Sequence, residues 1–559
     1  MTEEKRYGAD AIVESLINHG VKYVFGIPGA KIDRLFELLE HPTDPRTPKL
    51  IVSRHEQNAG FIAAGIGRIT GKPGVVISTS GPGATNLATP AVTATAEGDP
   101  LIAIAGQVPR RDLFRLTHQS MANKELFTPI TKYSAEIADT ENISEVFANA
   151  FRMASEGKQG TSFISIPQDI DDGEVTTPSL KPMNEPKLGS ADQQSITDLA
   201  DKIKHAKLPV LLAGMRASSP EAAAAIQKLI KAAKLPVVET FQGAGIISRE
   251  LEKDYFFGRV GLFRNQPGDK LLKHSDLVIT VGYDAIEYEP RNWNAEQDAN
   301  ITVIDTTAPQ LDKHFQPDTE LIGDITATVS NLADQVENYQ PDQESRQYLM
   351  EFHQEIDADV DQPVPAGQGN LNHPLAVIKE LQQRVTDDMT VSVDIGSHYI
   401  WMARHFRSYT PRHLLFSNGM QTLGVGLPWS IAAALERPNA KSISVSGDAG
   451  FTFSSQELEV AVRLKLNTVH FIWNDGYYDM VRFQEILKYG QDAGVKVGPI
   501  DYVKYAESFG AKGLRVDSPD QLGTIIDEAF ATPGPVVVDI PIDYSHNADL
   551  GKTLLADQF

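Results

Sequence analysis

The sequence predicts an α/β protein of three domains, each a doubly wound parallel sheet, and three observations carry that prediction. Short apolar, strand-like runs alternate with helix-like segments along the whole chain, the pattern of parallel strands joined by helical crossovers. Two stretches break the rhythm. Residues 170–195 are rich in Asp, Pro, Ser and Gln; residues 338–370 begin polar, pass through a charged helix-like piece and end in Gln362-Pro-Val-Pro-Ala-Gly-Gln-Gly369. They leave segments 5–170, 195–337 and 371–550, each near the usual size of one domain, in a chain of 559 residues that suits several.

The first segment opens with a helix near Ala9–His19, then a strand, Tyr23-Val-Phe25, and the turn Gly26-Ile-Pro-Gly29. A second strand, Lys49–Val52, precedes Arg54-His-Glu-Gln-Asn-Ala-Gly60, where Glu56 opens a helix running on through Phe61–Gly67. A carboxylate in a first helical turn is favoured by the dipole on any surface, so Glu56 alone decides nothing. The strand Gly74–Thr79 ends in Ser80-Gly-Pro-Gly-Ala-Thr-Asn86. Such a loop either receives an anion at the following helix N-terminus or is plain turn chemistry.

In the second segment Leu208–Ala213, an Ala-rich helix and Leu235–Val238 form a βαβ unit, and Ile301–Asp305 ends in an acid where a dinucleotide fold places one. The complete G-x-G-x-x-G fingerprint is missing, which weakens a nucleotide reading.

The third segment is the most informative. The strand Thr390–Val393 runs into Asp394-Ile-Gly-Ser-His398. Lys441–Ser446 runs into Gly447-Asp-Ala-Gly450, and Val469–Trp473 into Asn474-Asp475, with a helix-like Ser454–Leu466 between them. Adjacent parallel strands joined by one right-handed crossover end at the same sheet edge, so Asp448 and Asp475 meet there. Two carboxylates with a ligand's phosphate oxygens suit Mg²⁺, and Gly447 and Gly450 let backbone approach that phosphate. Taken alone, the same residues also read as two ordinary strand ends with solvated acids.

Composition narrows the partners. Lys and Arg number 51 against 74 Asp and Glu, a net charge of −23 that argues against nucleic acid or an anionic membrane as partner. The absence of cysteine excludes disulfides, thiolate metal sites and cysteine nucleophiles, and fits a cytoplasm. The N-terminus lacks an apolar signal core and no apolar run is long enough to span a bilayer, so a cytoplasmic protein is expected.

Taken together, these motifs resemble a known family. Gly447-Asp-Ala-Gly450 with Asn474-Asp475 resembles the thiamine diphosphate motif, GDG followed a crossover later by NN or a variant, with Ala449 for the third Gly. FGIPG, RHEQNA and TSGPGATN, in that order, resemble the pyrimidine-binding domain of the pyruvate-decarboxylase-like enzymes. FGIPGAKID, HQSM at 118–121, GRVGLF at 258–263, SNGMQTLGVGLPW at 417–429 and YAESFGAKG at 505–513 are similar to the catabolic, FAD-independent acetolactate synthases of bacteria.

The resemblance implies roles. Glu56 is the glutamate that faces the cofactor's aminopyrimidine. Asp448, Asp475 and the backbone carbonyl of Tyr477 hold Mg²⁺ against the diphosphate of thiamine diphosphate, with Gly447, Ala449 and Gly450 around it. Gly396, Ser397 and His398 form a second diphosphate loop. Leu423, in Gln421-Thr-Leu-Gly424, lies beneath the bent cofactor, and Gln421 borders it. Gly29, Lys31 and Gln119 belong to the reaction centre, Lys31 as the cation for a substrate carboxylate. The implied reaction decarboxylates pyruvate and joins the hydroxyethyl unit to a second pyruvate, giving 2-acetolactate and CO₂ for acetoin and butanediol formation. FAD is not expected, because Gly282-Tyr-Asp-Ala-Ile-Glu-Tyr-Glu289 departs from the signature of FAD-binding relatives. The family's site lies between subunits, so a homodimer is the minimum and a tetramer the expectation. A pyruvate oxidase, a 2-keto-acid decarboxylase, or a non-catalytic regulatory homologue on the same fold are the alternatives.

Overall fold

The computed structural model describes residues 5–181, 186–264, 266–336, 340–361 and 363–547. The chain is an α/β protein with three six-stranded sheets, every neighbouring pair of strands parallel. Residues 337 and 548–550, at the ends of two expected segments, lie outside the described residues.

The first sheet takes β1 (Tyr23–Gly26), β2 (Lys49–Val52), β3 (Gly74–Ser78), β4 (Leu101–Gln107), β5 (Tyr133–Glu136) and β6 (Thr161–Pro167), in the order β2-β1-β3-β4-β6-β5. β3, β4 and β6 are buried along their whole length. That is why they read as continuous apolar runs rather than alternating ones.

The second sheet takes β7 (Pro209–Ala213), β8 (Val237–Thr240), β9 (Phe256–Val260), β10 (Leu277–Val281), β11 (Ile301–Asp305) and β12 (Thr319–Ile322), in the order β12-β11-β10-β7-β8-β9. The charged piece between the second and third segments is a helix, Gln343–Asp361, whose Phe352 and Ile356 are buried in the apolar cluster of this sheet.

The third sheet takes β13 (Thr390–Val393), β14 (Leu414–Phe416), β15 (Ser442–Gly447), β16 (Thr468–Asn474), β17 (Lys512–Arg515) and β18 (Val536–Pro541), ordered β14-β13-β15-β16-β18-β17. This repeats the strand order of the first sheet. In both, the order reverses beside the first strand, and ligands of open α/β sheets bind at such a switch point, beyond the strands' carboxyl ends.

By internal contacts the chain forms two compact units. One comprises Met1–Pro186 with Leu427–Pro438 and Ser454–Leu466; the other is the remainder. Within the second unit, the buried Arg259 donates to Phe406 O at 2.6 Å and pairs with Glu239 at 3.2 Å, and the Asn418 amide donates to Glu287 O, tying the second sheet's domain to the third.

Candidate active site

The structure places the candidate residues at the two switch points. In the first unit, Gly29 and Lys31 follow β1 and Ser80–Gly83 follow β3, the strand beside it. A Cβ on Gly29 would meet the Thr79 side chain at 2.5 Å, so the two strand-end loops touch only because this residue is Gly. Lys31 is half-buried and its Nζ lies 3.4 Å from Gln168 Oε1. Gln119 has left-handed backbone (φ 63°) and packs on Gly81, while Ser80 Oγ donates to its Oε1 at 3.2 Å.

Glu56 is the first residue of the helix Glu56–Thr70, whose N-cap is His55, with its ring nitrogen accepting from Gln57 N. Asn86 Nδ2 donates to Glu56 Oε2 at 2.9 Å. The other oxygen, Oε1, points toward Gly83, 3.6 Å from where a Cβ would stand. Glu56, Gln119 and the Ser80–Gly83 loop are therefore one cluster.

In the second unit, β15 and β16 pair with Gly447 opposite Trp473, which sets Asp448 and Asp475 just past neighbouring strand ends. One pocket there is lined by Gly396, Ser397, His398, Leu423, Gly447, Ala449, Gly450, Asp475 and Tyr477. Asp448 lies beneath, 2% exposed; its Oδ2 accepts from Gly476 N at 2.9 Å and its Oδ1 is buried with no hydrogen-bond partner. Burial raises the Asp448 carboxyl to about 6. Burial, then the charges of Asp479 and Asp448, raise Asp475 to about 8. Crowded carboxylates and an orphaned oxygen are what a cation would relieve. Among the described residues no three His, Asp or Glu side chains form a ready metal cage, so a cation held by these two acids would need other oxygens to complete its shell.

The loop opposite is Gly396-Ser397-His398, at the start of the helix Ser397–His405. Gly396 has φ 155°, and a Cβ there would meet the His398 ring at 2.6 Å. The Ser397 hydroxyl donates to Asp479 at 2.7 Å, so the helix's leading N–H groups are what the loop offers an anion. His398 is 1% exposed, and burial lowers its imidazole to about 3, which keeps it neutral; its Nε2 has no partner. Gln421 (φ 50°) sits two residues before Leu423 and is not among the pocket's lining residues.

Sequence reasoning did not single out Asp394, Asp479, Tyr544 or Asn547. The buried Asp394 accepts N–H groups from Ile395, Gly424 and Gly426 at 2.8 to 3.1 Å, pinning the loop that carries Leu423. Asn547 donates to Ser397 Oγ at 2.9 Å and to Asp479 at 2.5 Å, and accepts from the Trp401 indole at 2.8 Å. Tyr544 lines the pocket, its hydroxyl buried and unpartnered. The acid of Asp394-Ile-Gly-Ser-His398 was the only one of these signals visible beforehand, at a strand end.

A glycine-lined loop at a helix start faces a carboxylate pair across one switch point, and in the first sheet a glutamate from the β2 end is presented beside the loop that follows β3. Comparison with known families places the chain as a whole. Residues 6–126 match the N-terminal thiamine pyrophosphate-binding domain, 196–332 the central domain and 394–540 the C-terminal thiamine pyrophosphate-binding domain of thiamine pyrophosphate enzymes. The chain belongs to the thiamine pyrophosphate enzyme family. Among its relatives, the acetolactate synthase of Bacillus subtilis (strain 168) is 51% identical, covering 99% of this chain and 96% of the relative. The catabolic acetolactate synthase of Raoultella terrigena is 43% identical over 97% and 96% of the two chains. Acetolactate synthase isozyme 1 large subunit of Escherichia coli (strain K12) is 31% identical over 97% and 95%.

Proposed function

We propose that this protein makes 2-acetolactate and CO₂ from two molecules of pyruvate, using thiamine diphosphate and Mg²⁺. The observation that carries this reading is the Asp448–Asp475 pair, with its orphaned Oδ1, beside a glycine-lined anion loop, in a chain half identical to an acetolactate synthase. Asp448, Asp475 and the backbone oxygen of Tyr477 would hold the ion; Gly447, Ala449, Gly450, Gly396, Ser397 and the neutral His398 would hold the diphosphate. The cofactor supplies the thiazolium carbon that takes up and releases the electron pair of a 2-keto acid.

The chain's residues do the rest. Glu56, anchored at Oε2 by Asn86, keeps Oε1 free to hold a proton opposite the aminopyrimidine. Leu423, set by Asp394, closes the pocket's apolar side and excludes water. Gly29 allows the tight loop contact that brings Lys31 to the reaction centre, where its ammonium faces a substrate carboxylate and Gln119 offers a neutral donor.

FAD has no part in this reading. At the carboxyl edge of the second sheet, Arg216 bonds Asp305 at 2.5 and 2.9 Å and Asp284 at 2.7 Å. The protein's own ion pairs thus engage the acid that a dinucleotide fold would direct at ribose. The three domains are assigned to residues 5–170, 195–337 and 371–550. The site is shared between subunits of a homodimer that pairs further into a tetramer, and the enzyme acts in the cytoplasm. No helix among the described residues is long and apolar enough to cross a membrane.

The test is one incubation of purified protein with thiamine diphosphate, Mg²⁺ and pyruvate, with no flavin added. Acetolactate, assayed as acetoin after acid decarboxylation, is expected from colourless protein. A yellow protein making acetyl phosphate or acetaldehyde would overturn the assigned reaction.

A further inference from the structure

Glu457 is fully buried, 0% exposed, in the turn Ser455–Glu457 of the crossover between β15 and β16. It belongs to the same compact unit as the helix Glu56–Thr70. Its carboxylate accepts from Arg54 N at 3.1 and 3.2 Å, from His55 N at 3.1 Å and from Asn58 Nδ2 at 3.3 Å. These donors flank Glu56 on both sides. Neighbouring residues of the crossover grip the same strand end: Glu459 pairs with Arg54 at 3.2 Å, and the Arg463 guanidinium donates to Val52 O.

A buried carboxylate is costly unless its oxygens are matched by donors, and here the donors are two backbone N–H groups and one side-chain amide of a single short turn. The helix already has its own cap in His55, so Glu457 is not needed to start it. Its hydrogen bonds fix the two peptide units before Glu56, hence the direction in which the Glu56 carboxyl leaves the chain.

We infer that Glu457 is a positioning residue for the proton-handling Glu56, holding the Arg54–Asn58 turn from behind. The inference rests on the thiamine diphosphate reading of Glu56, not on which product follows. Displacing a reacting group by an ångström costs on the order of 100-fold in rate, so a positioning role has a large kinetic signature.

The test uses Glu457→Met, which fills the same volume but offers no oxygen to the Arg54 N, His55 N and Asn58 Nδ2 donors. In the full-length protein saturated with thiamine diphosphate and Mg²⁺, one measures exchange of the thiazolium C2 proton for deuterium by quenched-flow NMR. Cofactor Kd is measured alongside by fluorescence quenching. Exchange per bound cofactor is expected to slow about 10- to 100-fold while Kd stays within about 3-fold. Unchanged exchange per bound cofactor, with or without a lower Tm, overturns the inference. If Glu457→Met does not fold, Glu457→Asp, which keeps the carboxylate but withdraws it by one methylene, is judged by the same criterion. A wild-type protein that exchanges briskly yet makes no acetolactate overturns the proposed reaction and leaves the Glu457 comparison standing. No exchange in saturated wild type overturns both.

Discussion

The Glu56 carboxyl is bound at one oxygen by Asn86 and open at the other, and that asymmetry makes Glu56→Gln an informative change. The amide keeps the shape of the side chain but cannot exchange a proton, so kcat should fall by about 100-fold or more while cofactor affinity moves little. Turnover near wild type would remove Glu56 from the chemistry. Asp448→Ala acts on the other half of the site. It removes the orphaned Oδ1 and the acceptor for Gly476 N, so protein dialysed and reloaded with thiamine diphosphate and Mg²⁺ should retain little cofactor; retention at the wild-type level contradicts the metal assignment. Lys31→Ala should raise the pyruvate KM about tenfold, the scale of one hydrogen bond to a charged group, with kcat less affected. An unaltered KM would mean that its contact with Gln168 is its whole role. The meeting of Asp448 and Asp475 was legible in sequence because each stands at the end of an apolar run, where chain direction decides position. Glu56 stood out only through the family resemblance of its motif. Asp479, Tyr544 and Asn547 were not legible, because what gives them meaning is a contact with Ser397 or the pocket, far away along the chain.

The sheets were legible as elements, since strands buried on both faces read as unbroken apolar runs. Strand order was not, because apolar period says nothing about which strand lies beside which. The repeat of one order in the first and third sheets therefore emerged only in three dimensions. The helix Gln343–Asp361 was legible as a charged helix-like piece, but the burial of Phe352 and Ile356 in the second sheet's cluster was not. At this scale the second sheet's edge makes a pH prediction. Glu287 is buried, accepts from Met215 N, Asp284 N and Thr240 Oγ, and burial raises it from 4.5 to about 7. Between those values the folded protein binds the proton and the unfolded chain does not. Its contribution to stability therefore falls as pH rises through the window, by about 1.4 kcal/mol per pH unit, and levels off above about 7. Calorimetry from pH 5 to 7 should show wild type losing stability relative to Glu287→Gln; parallel curves would contradict a protonated Glu287.

Over the whole molecule, the family and the three-domain plan could be read from motifs in order, because loops at strand ends carry most of the signal. The pairing of chains could not, since a single sequence does not say which copy supplies which half. If the site is shared, Glu56→Gln and Asp448→Ala damage different halves, and a mixed dimer retains one intact site of two. Subunit exchange between the two inactive variants should then restore about a quarter of wild-type activity, half of the dimers being mixed. Activity that stays at the parental level would place both halves on one chain. The central claim, joining of two pyruvates without flavin, is tested most directly by stoichiometry. Pyruvate consumed and CO₂ released are measured together, with oxygen uptake, in protein supplied only with thiamine diphosphate and Mg²⁺. Two pyruvates consumed per CO₂, with no oxygen uptake, is the predicted result; one pyruvate per CO₂, or oxygen consumed in step with it, would contradict the account.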